Sequence, residues 1–223
     1  MKLSKKEAIR IITDECKNYD AFLNDRVFLI IYAEHEITRY VEVGFRESQY
    51  LHLTGVTTIL SARRFYEKCI SGKLAENDFE IDNRGKVEQK LRVLPYLHDI
   101  FYNNCMIGDF LNSGIMIKAD YFVGDTKFVL SVGFRYGKKV DIPVTLYSGD
   151  IRKLTNPTNK VLAIFKRVYP SKTYDEITYQ SKNFDISKLE TARKLISPPL
   201  LGDSRIPSNE DEENGTTTTT NEM

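Results

Sequence analysis

The sequence predicts an α+β fold, with helices packed on an antiparallel sheet of four to six strands. Two observations carry this. Three segments before residue 103 repeat apolar residues at helical spacing, around one strand-like hairpin. From Cys105 to Tyr169 the texture changes to strand candidates separated by short turns, which reads as an antiparallel meander. At 223 residues the chain can bury a core, and its 41% apolar and 11% aromatic content is ordinary for a globular protein. We expect an N-terminal helix over residues 1–24, one α+β domain over 25–200 and an acidic tail over 201–223.

The elements follow in order. Ser4 and Glu7 have capping-box spacing, and Ile9, Ile12 and Cys16 make a stripe, so Ser4–Tyr19 is a helix. "RVFLIIYA" (Arg26–Ala33) reads as a buried strand and "EITRYVEVGF" (Glu36–Phe45) alternates. Glu34 and His35 between them suit a tight turn. "GFRESQYLHLTGV" (Gly44–Val56) reads as a loop leading into a helix over Thr57–Ser71, with Ile59, Ala62, Tyr66 and Cys69 as its stripe. Arg84–Tyr102 has the strongest helical period, and Pro95 must kink it or open a second helix. Five strands are expected in "MIGDF", "IMIKADYF", "KFVLSVGFRY", "VDIPVTLY" and "KVLAIFKRVY". Turns are expected at Asn112–Gly114, Gly124-Asp125, Gly137-Lys138 and Ser148–Asp150. Asp185–Ile196 reads as a last helix. The polar, acidic "SNEDEENGTTTTTNEM" that follows is expected to be disordered.

Composition narrows the function. No window approaches the ~20 apolar residues that span a bilayer, so no membrane partner is expected. Three acids by residue 15 and no long apolar run argue against a secretory signal. Three cysteines without CxxC spacing fit free thiols in a reducing, cytoplasmic setting. His35, His52 and His98 are scattered, so neither a zinc site nor any other cofactor is expected. Phosphate-loop, dinucleotide, HExxH and GxSxG motifs are absent. The net charge of +1 hides an asymmetry: the tail from Asp203 has six acids and one base, and Thr126–Lys172 has ten bases against two acids. A regional excess of this kind attracts phosphate, or is simply a solvated face.

Four groups of residues can carry chemistry. In "HLTG", His52 can act as acid or base, Thr54 can bind an anion, and Gly55 lets the backbone turn. The same residues also make a plain turn and helix cap. Lys90 borders the apolar stripe of its helix, where it either reaches a cleft or snorkels to water. The strand region carries Lys127, Arg135, Lys138, Lys139, Lys160, Lys166 and Arg167 among Phe134, Tyr136, Tyr147, Phe165 and Tyr169. Cations with exposed rings suit RNA, whereas the same rings turned inward are core. "TLYSGD" places Tyr147 and Ser148 where they orient a phosphate or merely flank a turn.

The order of "YVEVGFRESQYLHLTGV", "FYEKCISGKL", "DFEID", "KVEQKLRVLPYL", "MIGDF", "DIPVTLYSGD" and "VLAIFKRVY" resembles the fourth family of phage-type Barnase–EndoU–colicin–RelE-like nucleases. The resemblance covers roughly residues 25–180, and its most specific piece is F-x6-HLTG, Phe45 to Gly55. It implies helices on an antiparallel sheet and metal-independent RNA cleavage by 2′-hydroxyl attack on the adjacent phosphate. It also implies a phage or other mobile-element setting, RNA as substrate and an immunity or other protein as possible partner. On this chain His52 becomes the acid/base and Thr54 a phosphate ligand. From charge and position, Lys90, Arg135 and Lys166 are expected to join them. Lys127, Lys138, Lys139, Tyr147, Ser148, Lys160 and Arg167 are expected to bind RNA. The rival expectation is a catalytically silent RNA- or protein-binding module, such as an inhibitor of a host defence system.

Overall fold

The computed structural model describes residues 3–82, 85–111, 117–125, 127 and 129–202. Helix α1 (Lys5–Phe22) opens as the capping box requires: Glu7 N donates to Ser4 Oγ, and Ser4 N donates to the Glu7 carboxylate. It buries Ala8, Ile12, Cys16 and Tyr19. Strands β1 (Arg26–Glu34) and β2 (Ile37–Gly44) form the expected hairpin, and His35 takes a positive φ of 55° at its turn. Helix α2 (Glu47–Thr54) occupies the segment expected to be a loop.

Helix α3 (Ala62–Ile70) starts later than expected, because Ser61 caps it by accepting from Arg64 N. Thr57 instead pairs with Glu80, and Ile59 is 96% exposed, so the buried stripe is Phe65, Tyr66 and Cys69. Helix α4 (Lys86–Val93) ends where Pro95 intervenes, and two 3-10 turns at 94–96 and 98–101 carry the chain on. Arg84, the expected start of that helix, lies outside the described residues.

Six more strands follow: β3 (Met106–Phe110), β4 (Tyr121–Asp125), β5 (Leu130–Arg135), β6 (Ile142–Ser148), β7 (Thr155–Val168) and β8 (Glu176–Gln180). Among the described residues the sheet has eight strands rather than four to six, in the order β2-β1-β7-β3-β4-β5-β6, with β8 also on β7. The difference has a local cause. Strand β7 is 14 residues long, and its first half pairs with β3 while its second half pairs with β1 and β8. One strand thereby joins the N-terminal hairpin and the later meander into a single sheet. The ends of that order also approach each other, since Gly44 N donates to Asp141 O and Asp141 N to Glu42 O. The expected helix over Asp185–Ile196 is two 3-10 turns, 186–188 and 193–195, with Ala192 at φ 61° between them. A non-glycine residue at positive φ cannot continue a right-handed helix. The turn expected at Asn112–Gly114 and the tail from Asp203 lie outside the described residues.

All four helices pack on one face of the sheet. Their main core joins Ile12, Phe45, Leu53, Phe65 and Leu91 to Phe28, Ile107, Val132, Phe134 and Ile164 from the strands. The opposite face of β1 and β7 is covered by the C-terminal segment, through Tyr174, Ile186, Leu189, Ile196 and Leu201. The three cysteines are buried free thiols.

Candidate functional site

The "HLTG" stretch is the end of α2. The helix starts without a side-chain cap from Arg46, but Arg46 N donates to Gln49 Oε1 at 2.7 Å, which satisfies one early donor. Tyr50, Leu53 and Thr54 turn one face into the core, and Tyr50 donates its hydroxyl to Ile12 O of α1. Gly55 ends the helix at φ 77°, the left-handed conformation that glycine adopts without a side-chain penalty.

This geometry separates the motif's residues. Thr54 is fully buried and donates its hydroxyl to Leu51 O at 2.7 Å. It is a helix-end residue and presents nothing to a phosphate, contrary to the expectation from sequence. His52 lies on the exposed side of the last turn. Lys90 reaches the same place from α4 and donates its Nζ to His52 O at 3.3 Å. A methyl group on Gly55 would sit 2.6 Å from Lys90 Cδ, so the lysine stem would have to move aside for any other residue there. The chain thus brings the Lys90 ammonium to the backbone carbonyl of His52 although 38 residues separate them.

Lys90 has unusual surroundings for a lysine. No ion pair to a carboxylate forms at it among the described residues. Burial of its stem and ammonium disfavours the charged form, and the Lys86 cation adds to this, so its pKa is lowered from the ordinary lysine value. One favourable contribution opposes these, because a cation at the C-terminal carbonyls of α2 meets the negative end of the helix dipole.

The other expected site residues do not converge there. Arg135 is exposed at the end of β5, and Lys138 and Lys139 are exposed just beyond it. Lys127 precedes the opposite end of β5, where its backbone N donates to Asp125. The two ends of that six-residue strand lie roughly 17 Å apart. Lys160 is exposed on β7. Lys166 is only 14% exposed and is held by Glu176 at 2.7 Å, beside the Tyr102 ring. Arg167 is buried on the other face, against Glu42 at 3.8 Å and the rings of Tyr169 and Tyr174. Lys166 and Arg167 therefore lie on opposite faces of the sheet, as adjacent residues of a strand must. Phe134 and Phe165 are core residues. Tyr147 and Ser148 are half-buried, with Tyr147 packed against Phe122 and its neighbours.

The family model described as phage-Barnase-EndoU-ColicinE5/D-RelE like nuclease 4 matches residues 11–183. The chain belongs to that family. No curated protein and no solved structure matches it. The matched region runs from within α1 to just beyond β8 and includes both α2 and α4. His52 and Lys90 both fall within it. Sequence reasoning missed α2 as a helix and Lys86 as the neighbour acting on Lys90. The spacing of Tyr50, Leu53 and Thr54 was the signal for the first, and Lys86 one helical turn before Lys90 was the signal for the second.

Proposed function

We propose that the chain is an endoribonuclease that cleaves RNA at a site built on His52 and Lys90. The observation that carries this reading is the half-buried Lys90 ammonium, without a carboxylate partner among the described residues, held at the backbone carbonyl of exposed His52 at the α2 terminus. Unpaired cations placed where water is partly excluded suit a crowded phosphate. In this reading His52 accepts the proton of the ribose 2′-hydroxyl. The 2′ oxygen bonds to phosphorus, the bond to the 5′ oxygen breaks, and a 2′,3′-cyclic phosphate remains. Lys90 stabilises the charge on the phosphate, and its lowered pKa makes it a stronger proton donor to the leaving oxygen than an ordinary lysine. The chemistry needs no metal, since the nucleophile is part of the substrate. Exposed Lys127, Arg135, Lys138, Lys139 and Lys160 would track the phosphate backbone at longer range. The family's phage association supports a mobile-element setting.

A second reading has its own observation. Among the described residues no side chain hydrogen-bonds the His52 imidazole to orient it, as catalytic bases usually require. The same surface would then hold RNA or a partner protein without turnover. Cleavage assays on wild type, His52→Ala and Lys90→Ala separate the two. The ribonuclease reading expects each substitution to lower activity by about 100-fold or more with the fold intact. Salt-sensitive binding by a folded wild type that cuts nothing would favour the silent module.

A further inference from the structure

On the helix-bearing face of the sheet, β1, β2, β3, β4 and β7 leave a cleft that no helix residue lines. Its walls include Tyr32, Glu34, Asp109, Tyr121, Tyr136 and Asn159, with Asp109 and Tyr136 at its exposed mouth, and it spans about 270 Å³ including the solvent at that mouth. Neither His52 nor Lys90 reaches it, so it is separate from the nuclease site proposed above. Its polar groups are poorly used by the protein itself. Among the described residues, the side chains of Tyr32, Asp109, Tyr136 and Asn159 have no hydrogen-bond partner or ion pair. Glu34 is neutralised by Arg39, which leaves Asp109 as the one lining carboxylate without a cation. Tyr121 and Tyr136 stand 5.5 Å apart between ring centres, and Tyr121 donates its hydroxyl to Asp141 at 2.8 Å.

The chemistry of this lining selects a cation. Burial, and then the carboxylates around the phenols, push the Tyr32 and Tyr136 hydroxyls up, so both rings stay neutral. Neutral phenol rings attract cations over their faces, and a free carboxylate beside them adds charge. An anion would be repelled. No group of three His, Cys, Asp or Glu residues lies close enough to hold a metal ion among the described residues. The cleft has room for a water-sized group or two, which suits an ammonium head.

We propose that this cleft binds a primary ammonium on an alkyl stem, with Asp109 as counter-ion and Tyr32 and Tyr136 as its aromatic walls. The stem could belong to a free diamine or to a lysine of a partner protein. Calorimetric titration of the full chain with cadaverine, with Nα-acetyl-lysine methylamide and with uncharged 1-pentanol tests this. The expected result is saturable one-site binding of at least one amine and none of pentanol. Asp109→Asn and Tyr136→Leu should each weaken that binding by about tenfold or more. Binding of cadaverine alone would assign a free amine, and binding of the lysine amide would assign a partner's side chain. No saturable binding of either amine, or binding unchanged in Asp109→Asn, overturns the proposal. RNA cleavage is not an arm of the test, so its failure would not touch this result.

Discussion

Gly55 and Lys90 explain each other at the scale of single residues. Gly55→Ala introduces a methyl group at φ 77° and against the lysine stem. We expect a loss of about 1–2 kcal/mol in denaturant unfolding, from the left-handed backbone alone. In a Lys90→Ala background the same change should cost less, because one of its two penalties is gone. Lys90 also makes a pH prediction. Its folded pKa lies below the unfolded value of 10.5, so between the two the unfolded chain binds more protons and stability rises with pH. If Lys90 acts as a cation in cleavage, activity must fall on the alkaline side at a lower pH than an ordinary lysine gives. Lys86→Gln removes the secondary cause, so the alkaline midpoint should move upward. A midpoint unmoved in Lys86→Gln would mean that Lys90 does not set that limb. His52 was legible in the sequence as a candidate because "HLTG" resembles a family motif, whereas the loss of Thr54 was not. Whether a threonine hydroxyl faces solvent or its own helix depends on the rotation of the helix, which the spacing of four residues leaves open.

Among the elements, the ones legible in sequence are those whose local signals agree with their tertiary use. Helix α1 has its cap, its stripe and its length in register, and Ser4→Ala should cost about 1 kcal/mol, read from chemical unfolding. The β1–β2 hairpin was legible for the same reason. Helix α2 was not, because it has only 8 residues and begins without a side-chain cap. Such a helix is marginal alone, and burial of Tyr50 and Leu53 under α1 and α3 is what stabilises it. Strand β7 was read as ten residues from Lys160 and is 14, since "TNPTN" carries no apolar alternation. Strand β8, likewise polar, is specified by the partner it pairs with. The C-terminal helix failed the other way, its apolar residues serving to cover β1 and β7 from turns. The basic region was visible as a count of charges, but the carboxylates and rings that hold Lys166 and Arg167 required the tertiary structure.

For the whole molecule, the stretch from Phe45 to Gly55 is also a folding feature. Phe45 is fully buried and meets Tyr19, Phe28, Phe101 and Phe134 at centroid distances of 5.0–6.1 Å. It thus links α1, both halves of the sheet and the turn after α4, and it fixes the start of α2. Phe45→Ala should lose about 3–5 kcal/mol and, with it, the placement of His52. The α+β class and the family were therefore readable from sequence, while the extent of the sheet depended on long-range pairing. The central claim is that this placement serves RNA cleavage by His52 and Lys90. The most direct measurement is digestion of RNA in EDTA by wild type beside His52→Ala and Lys90→Ala, with the product ends identified. The account predicts 2′,3′-cyclic phosphate ends from wild type, lost in both variants while both remain folded. Undiminished cleavage by His52→Ala and Lys90→Ala, or no cleavage by folded wild type, would contradict it.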